Sequence, residues 1–412
     1  MSFSRLCTAL LAAVLLPSVA SADTLSLDTA LQRAVQRSEA ARAARAGVLG
    51  ATESARAAGQ LPDPTLRVGI DNLPVTGPDR FSTTREPMTM KRVGISQEWL
   101  SSDKRNARQA AADAAVEREA VQARAAIADV RLQTTLAYVD AFYTAESARL
   151  ATAMEHHARE EFEAARARLA AAATGSQEVL ALGVARGRAE DETSDAQQQH
   201  NAARLALQRW VGAVPDDLAP LLDLPLPSED AYVAAHPTVA ALQRDFEVAK
   251  RSAVVASSNR SPNWTWEVGY GQRTGYSDLV SVGVSIPIPV APDARQDRDT
   301  AARLALVDKA EADLAEAVRV ASTQYQTLQA DAQRLRQRIE RYRASVLTTA
   351  SQRTAAAMAS YRANQAPLAM LFEARHAEVD AQRKLLALQR DLARTLSQLA
   401  FRPITDIAEV TP

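Results

Sequence analysis

Residues 261–288 read SPNWTWEVGYGQRTGYSDLVSVGVSIPI. Trp264, Trp266, Val268 and Tyr270 alternate with Thr265, Glu267, Gly269 and Gly271. Beyond a Gly-Tyr-Ser-Asp turn, Val280, Val282, Val284, Ile286 and Ile288 alternate with Ser281, Gly283, Ser285 and Pro287. Successive side chains of a strand point to opposite faces, so each segment predicts a strand with one apolar and one polar face. Two strands alone are not stable in water. The hairpin needs partners, and finding them decides the fold.

The flanking sequence is alanine-rich and helical in pattern. Ser26 caps an expected first helix that runs to about Ala58 and stops at Gly59. Leu61-Pro62-Asp63-Pro64 forces extended backbone. Strands are then expected at about 64–71 and 90–99, with Val93 and Ile95 opposite Gly94 and Ser96. Residues 103–173 contain neither proline nor glycine and predict one helix of roughly 100 Å. Thr174-Gly175-Ser176 breaks it, with Gly175 suited to a left-handed turn and Ser176 to a new N-cap. A further helix runs to about Trp210. Residues 212–237 form a proline-rich linker. After the opening hairpin (263–271 and 279–288), a second long helix is expected over 293–363. Leu304, Val307, Leu314, Val318, Ala321, Tyr325, Leu328, Ala332, Leu335, Ile339, Tyr342 and Val346 give it a coiled-coil seam. Residues 364–367 turn the chain, a last helix runs to about Leu399, and 401–412 form a tail.

The two halves match element by element. Residues 61–70 align with 261–270 at an offset of 200, and 93–96 align with 282–285 at an offset of 189. The helix breaks at Gly175 and Gln365 differ by 190, which predicts a constant register along the long helix. Residues 23–211 and 238–400 thus read as two copies of helix, strand, strand, long helix, turn, helix.

Composition limits the function classes. Lys and Arg number 48 against 49 Asp and Glu, so no basic excess points to nucleic acid. Residues 1–22 carry Arg5, an apolar run and Ala20-Ser21-Ala22, the pattern of a cleaved signal peptide. Cys7 is the only cysteine. It lies inside the apolar run, not just after it, so lipidation is not expected. No P-loop, dinucleotide fingerprint, paired metal cysteines or nucleophile elbow is present, and neither an enzyme nor a cofactor is expected. His156-His157 with Glu160 and Glu161, and Glu373 with His376, are read as surface helix residues, not metal ligands.

Four short strands per chain cannot close a barrel, whereas three chains supply twelve. In such a barrel Val268, Val282, Val284 and Ile286 face lipid, with Trp264, Trp266 and Tyr270 in aromatic bands. Thr265, Glu267, Ser281 and Ser285 face a lumen.

With these features the chain resembles the outer membrane factors of the TolC family. The likeness rests on the duplication together with AAGQLPDPTL at 57–66, MKRVGISQEWLSSDKRNAR at 90–108 and ATGSQEVLAL at 173–182. These details are most similar to the heavy-metal (cobalt–zinc–cadmium and copper) efflux branch, although Ser101-Ser102-Asp103 replaces that family's glycine-rich turn. The resemblance implies a homotrimer in the Gram-negative outer membrane, a twelve-stranded barrel continuing into a periplasmic α-helical barrel. It implies a periplasmic adaptor and an inner-membrane pump of the RND type as partners. It places adaptor docking at the tips, on Gly175, Ser176, Val179, Leu180, Gln365, Pro367, Leu368 and Leu371, with Glu178 and Glu373 as gate carboxylates. Drug efflux or type I secretion is the alternative within this family. A soluble periplasmic coiled-coil scaffold or adaptor is the alternative outside it.

Overall fold

The computed structural model describes residues 24–214, 217–221 and 224–404. The expected signal peptide and most of the expected tail lie outside these. The elements run α1 (Leu27–Arg37), α2 (Glu39–Ala58), β1 (Thr65–Asp71), β2 (Met90–Trp99), α3 (Ser102–Ala170), α4 (Ser176–Val211), α5 (Glu229–Ala234), α6 (Pro237–Ser258), β3 (Trp264–Arg273), β4 (Leu279–Ser285), α7 (Gln296–Arg341), α8 (Thr348–Arg362) and α9 (Leu368–Phe401). A single 3-10 turn, Pro292–Ala294, precedes α7, and a π-helical segment, Tyr342–Leu347, joins α7 to α8.

The hairpin finds its partner in the first copy. The four strands form one antiparallel sheet in the order β1-β2-β3-β4. Register fixes its rows: Leu66, Ile95, Val268 and Val282 lie side by side, as do Val68, Val93, Tyr270 and Val280. β4 ends at Ser285, three residues before the sequence expectation, so Ile286 and Ile288 lie just past it. Pro287 and Pro289 follow at once, where no ladder hydrogen bond is asked of them.

β2 leads through Leu100 into α3, whose 69 residues carry the chain about 100 Å from the sheet to the far tip. Ser101 occupies the N-cap and accepts a hydrogen bond from Lys104 N at 3.3 Å, which gives the departure from the glycine-rich turn a local reason. α2 packs on the sheet-proximal half of α3 and α4 on its distal half; α6 packs against α7 and α9 against α7 and α8. Small residues fill these seams: Ala148, Ala151 and Ala196 form one buried cluster.

The linker is not featureless. It contains α5, and it straps the middle of the long helices. The Tyr138 hydroxyl of α3 lies 2.7 Å from both Leu25 O and Ala219 O, sharing its proton between two segments joined by the Leu25–Leu218 bridge. Burial pushes that phenol up to about 12. On the second copy, Tyr325 donates to Pro227 O at 3.1 Å and packs on Tyr232.

Other local expectations also change. The first helix breaks at Ser38, whose hydroxyl accepts from Ala41 N and caps α2. At the distal turn the left-handed residue is Ala172 (φ 54°), not Gly175, and Gly175, not Ser176, is the N-cap of α4. The second long helix is interrupted by the π segment. α3 ends at Ala170 and α8 at Arg362, and Ala172 is matched by left-handed Asn364, so the tips correspond at an offset of 192. The offset of 189 therefore holds only near the sheet, and the second copy gains three residues before its tip. A π turn absorbs extra helical residues, and it lies in that interval. Of the predicted seam, Ala321, Tyr325, Ala332 and Ile339 are buried, whereas Leu304, Val318 and Val346 are exposed.

Candidate functional site

The sheet is uncovered on both faces. β1 and β4 are exposed along nearly their whole length and each pairs on one side only. One face carries Leu66, Val68, Ile70, Val93, Ile95, Val268, Tyr270, Val280, Val282 and Val284; Val68 is 73% and Val282 75% exposed. Trp99 and Trp264 meet at 5.9 Å at the helix end of this face, with Trp266 half-buried beside them. Tyr270 and Tyr276 stand toward the loop end, so an apolar band lies between two aromatic rows.

The opposite face is polar and sterically thin. Glu267 on β3 bridges two cations, Arg67 on β1 and Arg92 on β2, each at 3.4 Å, and Arg92 also meets Asp71 at 3.4 Å. Gly94 and Gly269 are paired neighbours beneath these side chains. A Cβ on Gly94 would stand 3.2 Å from Val268 O, and one on Gly271 would run into Met90. The glycines let the long side chains of this face fold flat over the backbone. At the helix end, buried Lys104 Nζ donates to Asn263 Oδ1 at 2.6 Å and Asn263 Nδ2 to Glu98 Oε1 at 2.7 Å, tying the start of α3 to β3 and β2.

At the other end the two helical hairpins are bound together. Leu182, Ala185, Leu368, Leu371, Phe372, Met154, Ala158 and Ala357 form one core, with Val179 packed against it. Leu368 and Leu371, expected to meet a partner, are thus buried within the chain. Gly175, Ser176, Gln365 and Pro367 are exposed, and Leu180 is 71% exposed. Val184 and Met370 are also exposed here and were missed in the sequence, although Val184 follows Leu180 by one helical turn. Glu178 accepts from Leu368 N at 2.7 Å and from the Thr174 hydroxyl. These bonds, the Thr174 bond foremost, hold its carboxyl below the usual range. It serves as the missing cap of α9, whereas Glu373 is exposed.

α9 is further fastened by three arginines. Arg375 reaches Glu161 at 2.5 Å, Arg383 reaches Glu192 at 3.1 Å, and Arg394 pairs with Asp140. Glu373 and His376 are not brought together. His376 instead faces Asp380 and Glu192. His156 and His157 each meet a different oxygen of Glu160 on the exposed side of α3.

Among the described residues no helix is long and apolar enough to cross a membrane. No family model matches the sequence, and no curated protein matches it. Solved structures do match. The outer membrane protein VceC from Vibrio cholerae superposes with a TM-score of 0.73 at 18% identity, over 92% of this chain and 96% of that one. CusC, described for its conformational changes during folding and transmembrane channel formation, gives 0.77 at 13%, over 91% of each chain. The CmeC outer membrane channel of Campylobacter jejuni gives 0.77 at 12%, over 93% and 87%. Along nearly its whole length, then, this chain has the fold of solved outer membrane channels.

Proposed function

We propose that the protein is the outer membrane exit duct of a tripartite efflux system. It acts as a homotrimer whose twelve strands close a barrel and whose helices continue it into the periplasm as a tube. It performs no covalent chemistry. The observation that carries this reading is the sheet: four strands with an apolar face, a charged face, and both edges open. In lipid every backbone group must be paired internally, so an open sheet is tolerated only once closed by further strands. Three copies close it, with the valine face toward lipid and the Arg67–Glu267–Arg92–Asp71 face toward water. The exposed Leu304, Val318 and Val346 on the second long helix then pack between chains. The tips around Leu180 and Met370 dock a periplasmic adaptor that delivers cargo from an inner-membrane RND pump. Glu178 and Glu373 belong to the closing region of the duct, Glu178 by holding the two tips together.

Within this reading we favour metal cations as cargo, on the motif likeness of 57–66, 90–108 and 173–182. Drug efflux or type I secretion is the alternative, because the inner-membrane pump selects cargo. The channel reading is tested by chemical cross-linking of the detergent-extracted protein and by planar-bilayer conductance. Three cross-linked chains and discrete conductance steps are expected. A monomer recovered from the soluble fraction would overturn it. Cargo is tested separately by deleting the gene: lost metal tolerance is expected, and unchanged metal tolerance with raised drug sensitivity points to the alternative.

A further inference from the structure

Three ligand-type atoms converge between α4 and α9. His376 Nε2 lies 3.5 Å from Asp380 Oδ2, one turn along α9, and 3.8 Å from Glu192 Oε1 on α4. All three atoms lie within 4.8 Å of one another. Direct hydrogen bonds would bring nitrogen and oxygen to roughly 2.7–3.2 Å, so neither contact is a good one. Ligands bound at about 2.0–2.2 Å to one tetrahedral ion stand roughly 3.4 Å apart; the His376–Asp380 pair is at that spacing and the His376–Glu192 pair is slightly wider.

The surroundings orient each ligand. The second oxygen of Glu192 accepts from Arg383 Nη1 at 3.1 Å, which turns Oε1 toward the histidine. Phe372 stacks on the His376 ring at 5.8 Å, nearly parallel. His376 turns Nε2 toward both carboxylates and keeps Nδ1 buried. Neighbouring groups that fix ligand orientation are a regular part of metal sites. The i,i+4 pair His376 and Asp380 supplies two ligands from one helix, and Glu192 brings the second helix in.

We propose that Glu192, His376 and Asp380 bind one divalent transition cation of the zinc class per chain, with water in the open position. One imidazole and two carboxylates suit zinc and its borderline neighbours, whereas calcium and magnesium ask for all-oxygen shells. The ion clips the α3–α4 hairpin to α9 above the tip. The site is a resident one; it rests on these side chains and not on the identity of the cargo. The His156/His157/Glu160 group lacks this convergence, because its contacts use two separate oxygens on one exposed helix.

The test uses full-length protein in detergent, with any polyhistidine tag removed, stripped with chelator and titrated calorimetrically with Zn2+ and with Mg2+. One Zn2+ per chain is expected, with no Mg2+ binding at the same concentrations. His376→Gln and Asp380→Asn each weaken Zn2+ binding at least roughly tenfold, the loss typical of disturbing even an outer partner. His156→Gln leaves it unchanged. Asp380 is 56% exposed, so its variant removes a ligand without opening the core. Zn2+ also raises the thermal midpoint of the wild type and not of Asp380→Asn. Absence of Zn2+ binding, or wild-type affinity in either variant, overturns the proposal. So does a wild-type midpoint that Zn2+ leaves unchanged. None of these results bears on conductance or trimer formation.

Discussion

At the scale of single residues, the chemistry lies in partners that the sequence separates widely. Glu161 and Arg375 are 214 positions apart, and Glu161 is 5% exposed. Burial pushes its carboxyl up to about 6, with Arg375 pulling the other way. The sign follows from proton uptake. Between about 4.5 and 6 the folded chain holds a proton that the unfolded chain has released, so this group stabilises most below about 4.5 and its contribution is lost as pH rises through about 6. The window corresponds to on the order of 1–2 kcal/mol. Thermal unfolding of wild type and Glu161→Gln across pH 4–7 checks it: the wild-type midpoint should fall relative to the variant as pH rises. Parallel profiles would refute it. Spacing along one helix could not find such pairs. It joined Glu373 to His376, whereas the true neighbours of His376 include Glu192 from another helix. Leu368 and Leu371 were expected at the docking surface from the resemblance of the tips, and their burial depends on Met154 and Leu182 across the hairpin interface.

At the scale of elements, legibility follows the strength of the local rule. β2 appears at 90–99 as expected because alternation and the proline-containing loop before it coincide. Both long helices were legible from the absence of proline and glycine. The π segment was not, because an insertion in a polar, alanine-rich helix leaves the hydrophobic pattern readable on either side. Ser38 was missed because one serine interrupts no apolar period; only its capping bond marks the break. Within the sheet, the glycines are not equivalent. Gly94 lies on the paired centre of the charged face, and a methyl there would press on Val268 O and on Gly269 Cα at 3.3 Å. Gly283 has nothing within 4 Å. Gly94→Ala should therefore destabilise by roughly 1–3 kcal/mol through overpacking against backbone. Gly283→Ala should be neutral or slightly stabilising, since alanine orders more readily in a strand than glycine. Thermal midpoints of the two detergent-solubilised variants decide it, and equal behaviour would mean that the β2–β3 pair has slack the distances do not show.

At the scale of the whole molecule, the helices and the sheet differ in what they leave open. The helices bury their alanine seams, yet the sheet leaves ten large apolar side chains uncovered and two edges unpaired. The duplication made the four strands legible in the sequence, and their pairing joins them in one sheet. What the sequence could not fix was which face of each strand shares a surface with which neighbour. Register does that, and it yields a test of sidedness. Val282 and Ser281 are adjacent on β4, both exposed, and their partners on β3 are Val268 and Gly269. If the sheet were bathed in water on both faces, Arg at either site would change stability by about 0.5 kcal/mol or less. If the valine face meets lipid, Val282→Arg costs about 2–4 kcal/mol per chain near the bilayer midplane, whereas Ser281→Arg projects into the aqueous lumen. The measurement is the yield of folded, membrane-inserted protein after refolding into phospholipid vesicles. Val282→Arg should insert poorly while Ser281→Arg inserts like the wild type. Equal insertion of the two, or greater loss for Ser281→Arg, would mean that the apolar face is not the one against lipid.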